Sequence, residues 1–593
     1  MSKLSRRHQG LLLIWLAVVM FALIKLAPTR LYVAGDSRES LVTAQSILQH
    51  GTIRLDAYYP DDRPNTVVEE QGHLYYYFPL GTSLLSVPFV GVQLLRGEDM
   101  LVEAHNFALQ KTLAALVVSL SAVLIYILCR RFVGQGLSLL FTVVFVFGSS
   151  IVSTMGTALW SIDLAFLFML LALVILIYEP SGKSGRIAPV FLGGALFMAY
   201  LSRPSTLTLT LPLFVYVFLV RRSWFPGMAA TFALLAAGLV LFSQNEFGQV
   251  LPSYYLTSRL NENSTFWTAV YGNLASPGRG MLIYSSFLLA ILVGLLLVFQ
   301  QVRHRPLFWL AAAWILIHLV SISQFWHWWG GWSFGSRLMT ETLPAWLLIA
   351  LLVWPAARTG LSRPVYVSLT AGFIALGAVA IYVNTVQGLF NPATVDWNRW
   401  HRPLARAEFP QAALMLDWKY PQFLASPQQL RARHAEYLFA DSLQPLVLGE
   451  SIDFGSESVS FEGWTAAQNS GHIDWRRSNG DVARIFFRVE SLPAAEKAAL
   501  AWQIAASSTR PYRVSVLLNG QHIGVIAASG DGAVTQHILP FDSSLLTPSV
   551  GRHYNTLEFR ILDPPHPIGD QTSNSDRPMI DLTLHEVKLA AVH

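Results

Sequence analysis

Apolar runs of roughly 20 residues, the length that crosses a bilayer core, recur along the first two thirds of the chain, and a soluble fold has no place for so many. They begin at Leu11, Phe107, Leu137, Ile162, Ala188, Thr206, Met228, Met281, Leu307, Leu338 and Val365, which predicts an α-helical polytopic membrane protein of about eleven spans. The composition agrees: 53% of the 593 residues are hydrophobic and 13% charged, against roughly 25% charged in soluble proteins. With 12% aromatics, disorder is excluded by the same figures. The first run carries Lys25 near its end and no small-residue cleavage site, so it reads as a retained anchor and not a signal peptide. Arg203 and Pro204 interrupt two runs that can also be read as one broken helix.

Orientation follows from where the basic residues lie. Lys3, Arg6 and Arg7; Arg130 and Arg131; Lys183 and Arg186; Arg221 and Arg222; Arg303 and Arg305; and Arg358 and Arg363 all fall in alternate loops, and that side is the cytoplasm. These loops are short. The long segments 28–103, 244–280 and 323–337, and everything after about residue 384, lie outside, so any chemistry is expected on the outer face of a plasma (inner) membrane. The net charge of +5 is spent on topology, and no nucleic-acid partner is expected. Cys129 is the only cysteine, which excludes an internal disulfide and a Cys-based zinc site.

Residues 1–383 are therefore read as the membrane domain, 384–449 as an extracytoplasmic connector rich in Pro and Trp, and 450–593 as an exported all-β sandwich. Asn519-Gly520 between the alternating runs 513–518 and 521–527 is a strong hairpin signal, and 483–489, 499–505, 556–562 and 580–589 are further strand candidates.

Four outer segments carry polar groups suited to chemistry. Gly35-Asp36-Ser37-Arg38-Glu39 opens a helical pattern that stops at Gly51. Asp36 as N-cap with Glu39 is a variant capping box, and a carboxylate so fixed at the membrane boundary is also placed to act as general base toward a hydroxyl. Residues 74–81, rich in tyrosine, introduce an apolar stretch through Leu95 that is short of a span, contains Pro88 and fits a membrane-surface helix. Residues 324–337 interleave Trp326, Trp328, Trp329 and Trp332 with His327, Gly330, Gly331 and Gly335, then reach Arg337 and Glu341. Paired glycines serve either a tight turn or close approach to a ligand, and Arg337 is suited to clamp a phosphate by its planar fork or to snorkel to water. Asp163 and Arg203 sit near outer span ends, where an ionisable residue is either functional or one of a mutual pair. Gly-x-Gly-x-x-Gly after a strand, a Walker loop and His-Glu-x-x-His are all absent, so a nucleotide-activated donor and a zinc protease lack support.

Taken in order and by sidedness, Gly35-Asp36 through Ala44, Tyr77-Phe78-Pro79-Leu80-Gly81, Asn245 through Gly248 with Tyr254, Ser276-Pro277 with Arg279-Gly280, and Trp329-Gly330-Gly331-Trp332 through Arg337 resemble the GT-C superfamily of integral membrane glycosyltransferases. Its relatives include the protein O-mannosyltransferases and lipid A aminoarabinose transferases. The resemblance covers roughly the first two thirds of the chain. It implies a polyprenyl-phosphate sugar donor and inverting transfer to the hydroxyl of an extracytoplasmic glycan, lipid or protein acceptor, with Asp36 as base. It further implies that Arg337, Arg279, Arg203, Tyr254, Glu246 and Trp332 bind substrate, with Glu39, Asp163 and His327 accessory. Where several relatives have an acidic pair, this chain has Asp36 followed by Ser37; no cofactor is expected and a divalent metal has no support. The β-domain would orient a glycan acceptor, with Trp464 and Trp475 as candidates beside the commoner reading of core tryptophans. The rival readings are a transporter or flippase, or an envelope assembly protein, with an exported glycan-binding domain.

This orientation makes a direct prediction: a cysteine introduced near Asn519 is labelled by an impermeant thiol reagent in intact cells, while one introduced beside Arg130 is labelled only after permeabilisation.

Overall fold

The computed structural model describes residues 6–27, 37–60, 63–178, 183–256, 263, 265–331, 333–399, 411–434, 445–446, 449–452, 460–462, 464, 468–469, 474–477, 482–489, 500–508, 511–546, 555–562 and 582–591. The chain divides into two compact units, Met1–Pro427 and Gln428–His593.

The first unit is helical. In chain order it contains α1 (Arg6–Leu26), α2 (Arg38–His50), a hairpin of β1 (Val67–Glu70) and β2 (His73–Tyr76), α3 (Gly81–Leu95), α4 (Glu103–Phe132), α5 (Gln135–Phe147), α6 (Ser161–Tyr178), α7 (Lys183–Ser202), α8 (Leu207–Val220), α9 (Phe225–Phe247), α10 (Phe266–Ala275), α11 (Met281–Tyr284), α12 (Phe287–Val302), α13 (Pro306–Gln324), α14 (Leu343–Gly360) and α15 (Arg363–Ile381). Among the described residues seven helices are long and apolar enough to cross a membrane, namely α4, α6, α7, α13 and the helices 222–247, 337–360 and 363–390. The expected count of about eleven is corrected accordingly. The runs at Leu11, Leu137, Thr206 and Met281 form the shorter apolar helices Leu11–Leu26, Gln135–Phe147, Pro204–Val220 and Phe287–Val302.

Local breaks shorten three of them. α5 stops at Gly148 after 13 residues, a rise of roughly 20 Å. Pro204 opens a 3-10 turn ahead of α8, with Arg203 extended before it, so α7 and α8 are separate helices. Ser285 and Ser286 divide α11 from α12. The core is built by side chains such as Phe141, Phe145, Phe166, Phe287, Trp314 and Trp354.

The described residues between α1 and α4 are folded. Gln71 and Gly72, both at positive φ, close the β1–β2 hairpin by a two-residue turn, and Leu55 N–H bonds to Leu74 O at 2.7 Å. From α2, Gln45 donates to Asp99 Oδ1 (2.9 Å) and accepts from Met100 N–H (2.8 Å). Asn106 of α4 donates to the carbonyls of Arg38 (3.1 Å) and Met100 (2.8 Å). Gln110 donates to Asn106 Oδ1 (2.7 Å) and accepts from Leu159 N–H (3.4 Å), just ahead of α6. An unbroken polar chain thus runs from the start of α2 to the start of α6 through otherwise buried surroundings, where each of these groups needs a partner.

The surface helix expected through Leu95 is α3, which contains Pro88 and exposes Leu84, Phe89, Val92 and Leu95. Its first residue, Gly81, meets the end of α7 so closely that a Cβ would lie 2.5 Å from Ser202 Oγ and 2.6 Å from Ser202 Cα.

The second unit is β-rich. Its strands are β3 (Pro445–Leu446), β4 (Ser460–Glu462), β5 (Gln468–Asn469), β6 (Asp474–Arg477), β7 (Val482–Val489), β8 (Leu500–Ser507), β9 (Pro511–Leu518), β10 (Gln521–Ser529), β11 (Thr535–Phe541), β12 (Asn555–Ile561) and β13 (Thr583–Ala591). One sheet runs β10-β9-β12-β7-β3, with β4 also on β7, and the other β11-β8-β13-β6-β5. All pairs are antiparallel except β3 with β7. Neither sheet closes on itself, yet both feed one core, in which Trp502 of β8 meets Phe487 of β7 edge-on at 4.9 Å. Asn519 and Gly520 take positive φ and join β9 to β10 as expected. Strand β11, which carries Pro540, was not signalled; it lies at a sheet edge, where proline is tolerated. Trp464 is buried, its indole N–H on Arg484 O at 3.1 Å, and the Trp475 side chain lies outside the described residues.

Because Ser202 backbone cannot move without shifting α7, Gly81→Ala is expected to cost about 1–3 kcal/mol, read as a lowered unfolding temperature in detergent.

Candidate active site

The segment after α13 turns sharply. Gly330, Gly331 and Gly335 all have positive φ, and a Cβ on Gly335 would lie 2.5 Å from the Tyr284 ring; of the two readings of these glycines, the tight turn is the one seen. The turn delivers a 3-10 segment, Arg337–Thr342, against the start of α6. Arg337 places its guanidinium 4.5 Å over the Trp160 ring. Four residues on, fully buried Glu341 forms an ion pair with Arg203 and accepts from Ser205 Oγ at 2.7 Å. Arg203 also reaches Ser205 Oγ (3.2 Å) and Ser161 Oγ (3.3 Å). Buried His318 of α13 lies 3.9 Å from Glu341 Oε2, with Thr208 Oγ1 (2.9 Å) and Leu338 O (2.8 Å) on its two ring nitrogens. Asp163, in the first turn of α6, is fully buried and neither carboxylate oxygen makes a hydrogen bond of ordinary geometry.

Two guanidiniums from separate segments therefore meet at adjacent residues, Trp160 and Ser161, at the N-terminus of α6. Helix N-termini favour anions, and a guanidinium is a planar fork of the geometry that phosphate oxygens accept.

Arg279 is elsewhere and otherwise engaged. It is 1% exposed, and it donates to Trp329 O (2.7 Å), Gly278 O (2.7 Å), Gln422 Oε1 (2.8 Å), Gly331 O (2.9 Å) and Asn398 Oδ1 (3.2 Å). An arginine has five N–H donors, so this one is committed to clasping loops and has none in reserve for a phosphate. His327 stacks among Phe325, Trp326 and Trp329, 4.4 Å from the last.

Glu246, at the end of α9, and Tyr254, just after it, belong to another group. Glu246 accepts from Arg54 Nε (2.6 Å) and Tyr75 OH (2.9 Å), and Arg54 Nη1 contacts His73 Nε2 at 2.9 Å. Burial and the bond to Glu246 push the Tyr75 hydroxyl up to about 12, so it serves as a donor at physiological pH. Tyr254 packs on Tyr77 (5.5 Å) and Phe78 (5.3 Å). Alongside runs an apolar groove of about 430 Å³, walled by Leu84, Phe197, Leu201, Leu239 and Phe242 with Glu246. Glu39 is buried and accepts from Thr66 Oγ1 at 2.7 Å; the residue ahead of α2 is Ser37, whose side chain makes no capping bond. Asp36 and Trp332 lie outside the described residues. Among the described residues no cluster of three His, Cys, Asp or Glu is placed to hold a metal.

No family model matches the chain, and no curated protein does. Among solved structures, the chain is similar to ArnT. That crystal structure, of ArnT from Cupriavidus metallidurans bound to undecaprenyl phosphate, aligns over 75% of this chain and 83% of its own with 12% identity and a TM-score of 0.44. At that identity and score no residue role or chemistry passes from ArnT to this chain.

Trp160, Ser161, Ser205 and His318 were not singled out in the sequence; each looks like an ordinary span-end or mid-span residue until the chain is folded. The five-bond clasp predicts that Arg279→Ala lowers stability by about 3 kcal/mol or more, since buried acceptors are left unpaired. Arg279→Lys does not restore the unfolding temperature, because a single ammonium cannot span acceptors on separate loops.

Proposed function

We propose that this chain is a GT-C-type glycosyltransferase that moves a sugar from a polyprenyl-phosphate donor to the hydroxyl of an extracytoplasmic acceptor, with inversion. The observation that carries the reading is the meeting of Arg203 and Arg337 at the start of α6. Asp36 removes the acceptor's proton as the acceptor oxygen bonds to the anomeric carbon. The bond from that carbon to the phosphate oxygen breaks, and its electron pair stays on the lipid phosphate. Arg337 receives that developing charge through its fork, and Arg203, held by Glu341, adds to the positive field. Such fixed donors are worth most where water is excluded.

Asp36 itself lies outside the described residues, and the polar chain begins just after it. The carbonyl of Arg38, two residues after it, is joined through Asn106 and Gln110 to Leu159, the neighbour of Trp160. The apolar groove lined in part by Glu246 suits the hydrocarbon of a lipid-linked substrate, with Glu246 as its one charged lining residue. Arg279 acts as a positioning residue for the loops around Trp332. In this reading the second unit is a sandwich that orients the acceptor, outside the membrane, and the N-terminus is cytoplasmic.

Asparagine keeps the shape and capping capacity of aspartate but cannot take a proton. Asp36→Asn is therefore expected to cut transfer from a defined polyprenyl-phosphate sugar on the order of a hundred- to ten-thousand-fold, with donor binding and unfolding temperature near wild type. Transfer at the wild-type rate would remove Asp36 from the mechanism.

A further inference from the structure

Two lysines break the charge pattern that orients the chain. Lys25 lies in the last turn of α1 and Lys111 in the N-terminal part of α4, both at the outer end of their helices on the topology read from the basic loops. Lys25 Nζ donates to Thr112 Oγ1 at 2.9 Å, and Lys111 Nζ donates to Ala27 O. Both lysines therefore bridge the same short stretch of α1 and α4, one from each helix, which brings two ammonium groups to one end of that contact. Among the described residues no carboxylate is ion-paired with either, whereas Arg54, Arg63, Arg203, Arg484 and Arg560 all have acidic partners.

Helix capping accounts for part of this. A cation in the last turn of α1, and one on the carbonyl of Ala27, both suit the negative end of that helix. One cation suffices for that purpose, and a second like charge at its side is unfavourable unless an anion accompanies it. Each ammonium has three donors and spends one on the protein, leaving several N–H groups at one place. Both side chains are half-buried, and on α1 they are flanked by exposed Leu23 and Leu26, so the approach is from the lipid side. An anion with several acceptor oxygens at the depth of a lipid head group is a phosphate ester.

We propose that Lys25 and Lys111 form a binding site for the phosphate of a membrane lipid, distinct from the paired arginines at α6. The site does not depend on the glycosyltransferase reading, because it requires only the two ammonium groups at the membrane boundary. Its occupant holds the α1–α4 contact together from outside and neutralises the pair.

The test uses the purified full chain in nanodiscs of phosphatidylcholine doped with either phosphatidic acid or fluorescent polyprenyl phosphate, with retained lipid measured by native mass spectrometry after detergent extraction. Wild type is expected to retain a phosphomonoester lipid over phosphatidylcholine. Lys25→Gln with Lys111→Gln should lower that retention about tenfold or more, while Lys25→Arg with Lys111→Arg keeps it. Equal retention by wild type and the glutamine pair, loss in the arginine pair, or no preference for the phosphomonoester overturns the proposal. Displacement of the retained lipid by millimolar inorganic phosphate would reassign the site to free phosphate and overturn the lipid source. The unfolding temperature of each variant in lipid-free detergent separates this from capping: a fall in the glutamine pair with lipid retention unchanged sinks the site and leaves two helix caps.

Discussion

The ion pair between Arg203 and Glu341 governs the end of the helical unit where α6 begins. Two charges withdrawn from water are tolerated only when their mutual attraction and further hydrogen bonds offset the lost solvation. That demand explains what surrounds them: Ser161 and Ser205 hydroxyls on the guanidinium, Ser205 on the carboxylate and His318 beyond it. It also explains the backbone. The break at Arg203 and Pro204 lets a guanidinium emerge between α7 and α8, and the 3-10 segment after Gly335 carries Glu341 to it. Removing either partner would strand a buried charge, so α6, α7, α8, α13 and α14 are held in one arrangement by one electrostatic requirement, and Arg337 inherits its place over Trp160 from it.

How far the molecule can be read from its sequence depends on the distance over which each feature is decided. Helix positions were legible because apolar length is a local property, yet the number of full spans was overstated: Gly148 ends α5 after 13 residues and the Ser285-Ser286 pair divides the run that begins at Met281, breaks that hydrophobicity alone does not register. Asn519-Gly520 announced its hairpin, since two residues at positive φ leave few alternatives. The β1–β2 hairpin, turned by Gln71-Gly72 with four-residue strands, gave no such alternation. Candidate-site residues were the hardest. Arg279 and Arg337 look alike in the sequence, each following a glycine-rich turn. The structure shows what the sequence does not: the Arg279 fork is taken up by carbonyls far along the chain, whereas the Arg337 guanidinium lies over the Trp160 ring. Glu341 was noticed only as a residue after Arg337; its pairing with Arg203 depends on two loops 138 residues apart (341 − 203).

Loop and membrane are joined as firmly as helix and helix. Through Gln45, Asn106 and Gln110, the segment between α2 and α4 is hydrogen-bonded to α4 and to the approach to α6. A segment that would otherwise float above the bilayer is thereby given fixed coordinates relative to the buried arginine. Amide side chains suit this task, because each offers a donor and an acceptor and so can relay a chain through a dry interior without introducing charge.

The Arg279 clasp has a consequence for biogenesis. Its partner Gln422 lies 143 residues downstream, beyond α12, α13, α14 and α15, so when the arginine leaves the ribosome none of its distant acceptors has been made. Until translation passes residue 422, the clasp lacks the acceptor that Gln422 supplies. It therefore cannot be completed span by span as the helices form. It is finished only after the last of these helices has been made, and a chain truncated before Gln422 would keep the acceptors at Gly278, Trp329, Gly331 and Asn398 and lack the fifth.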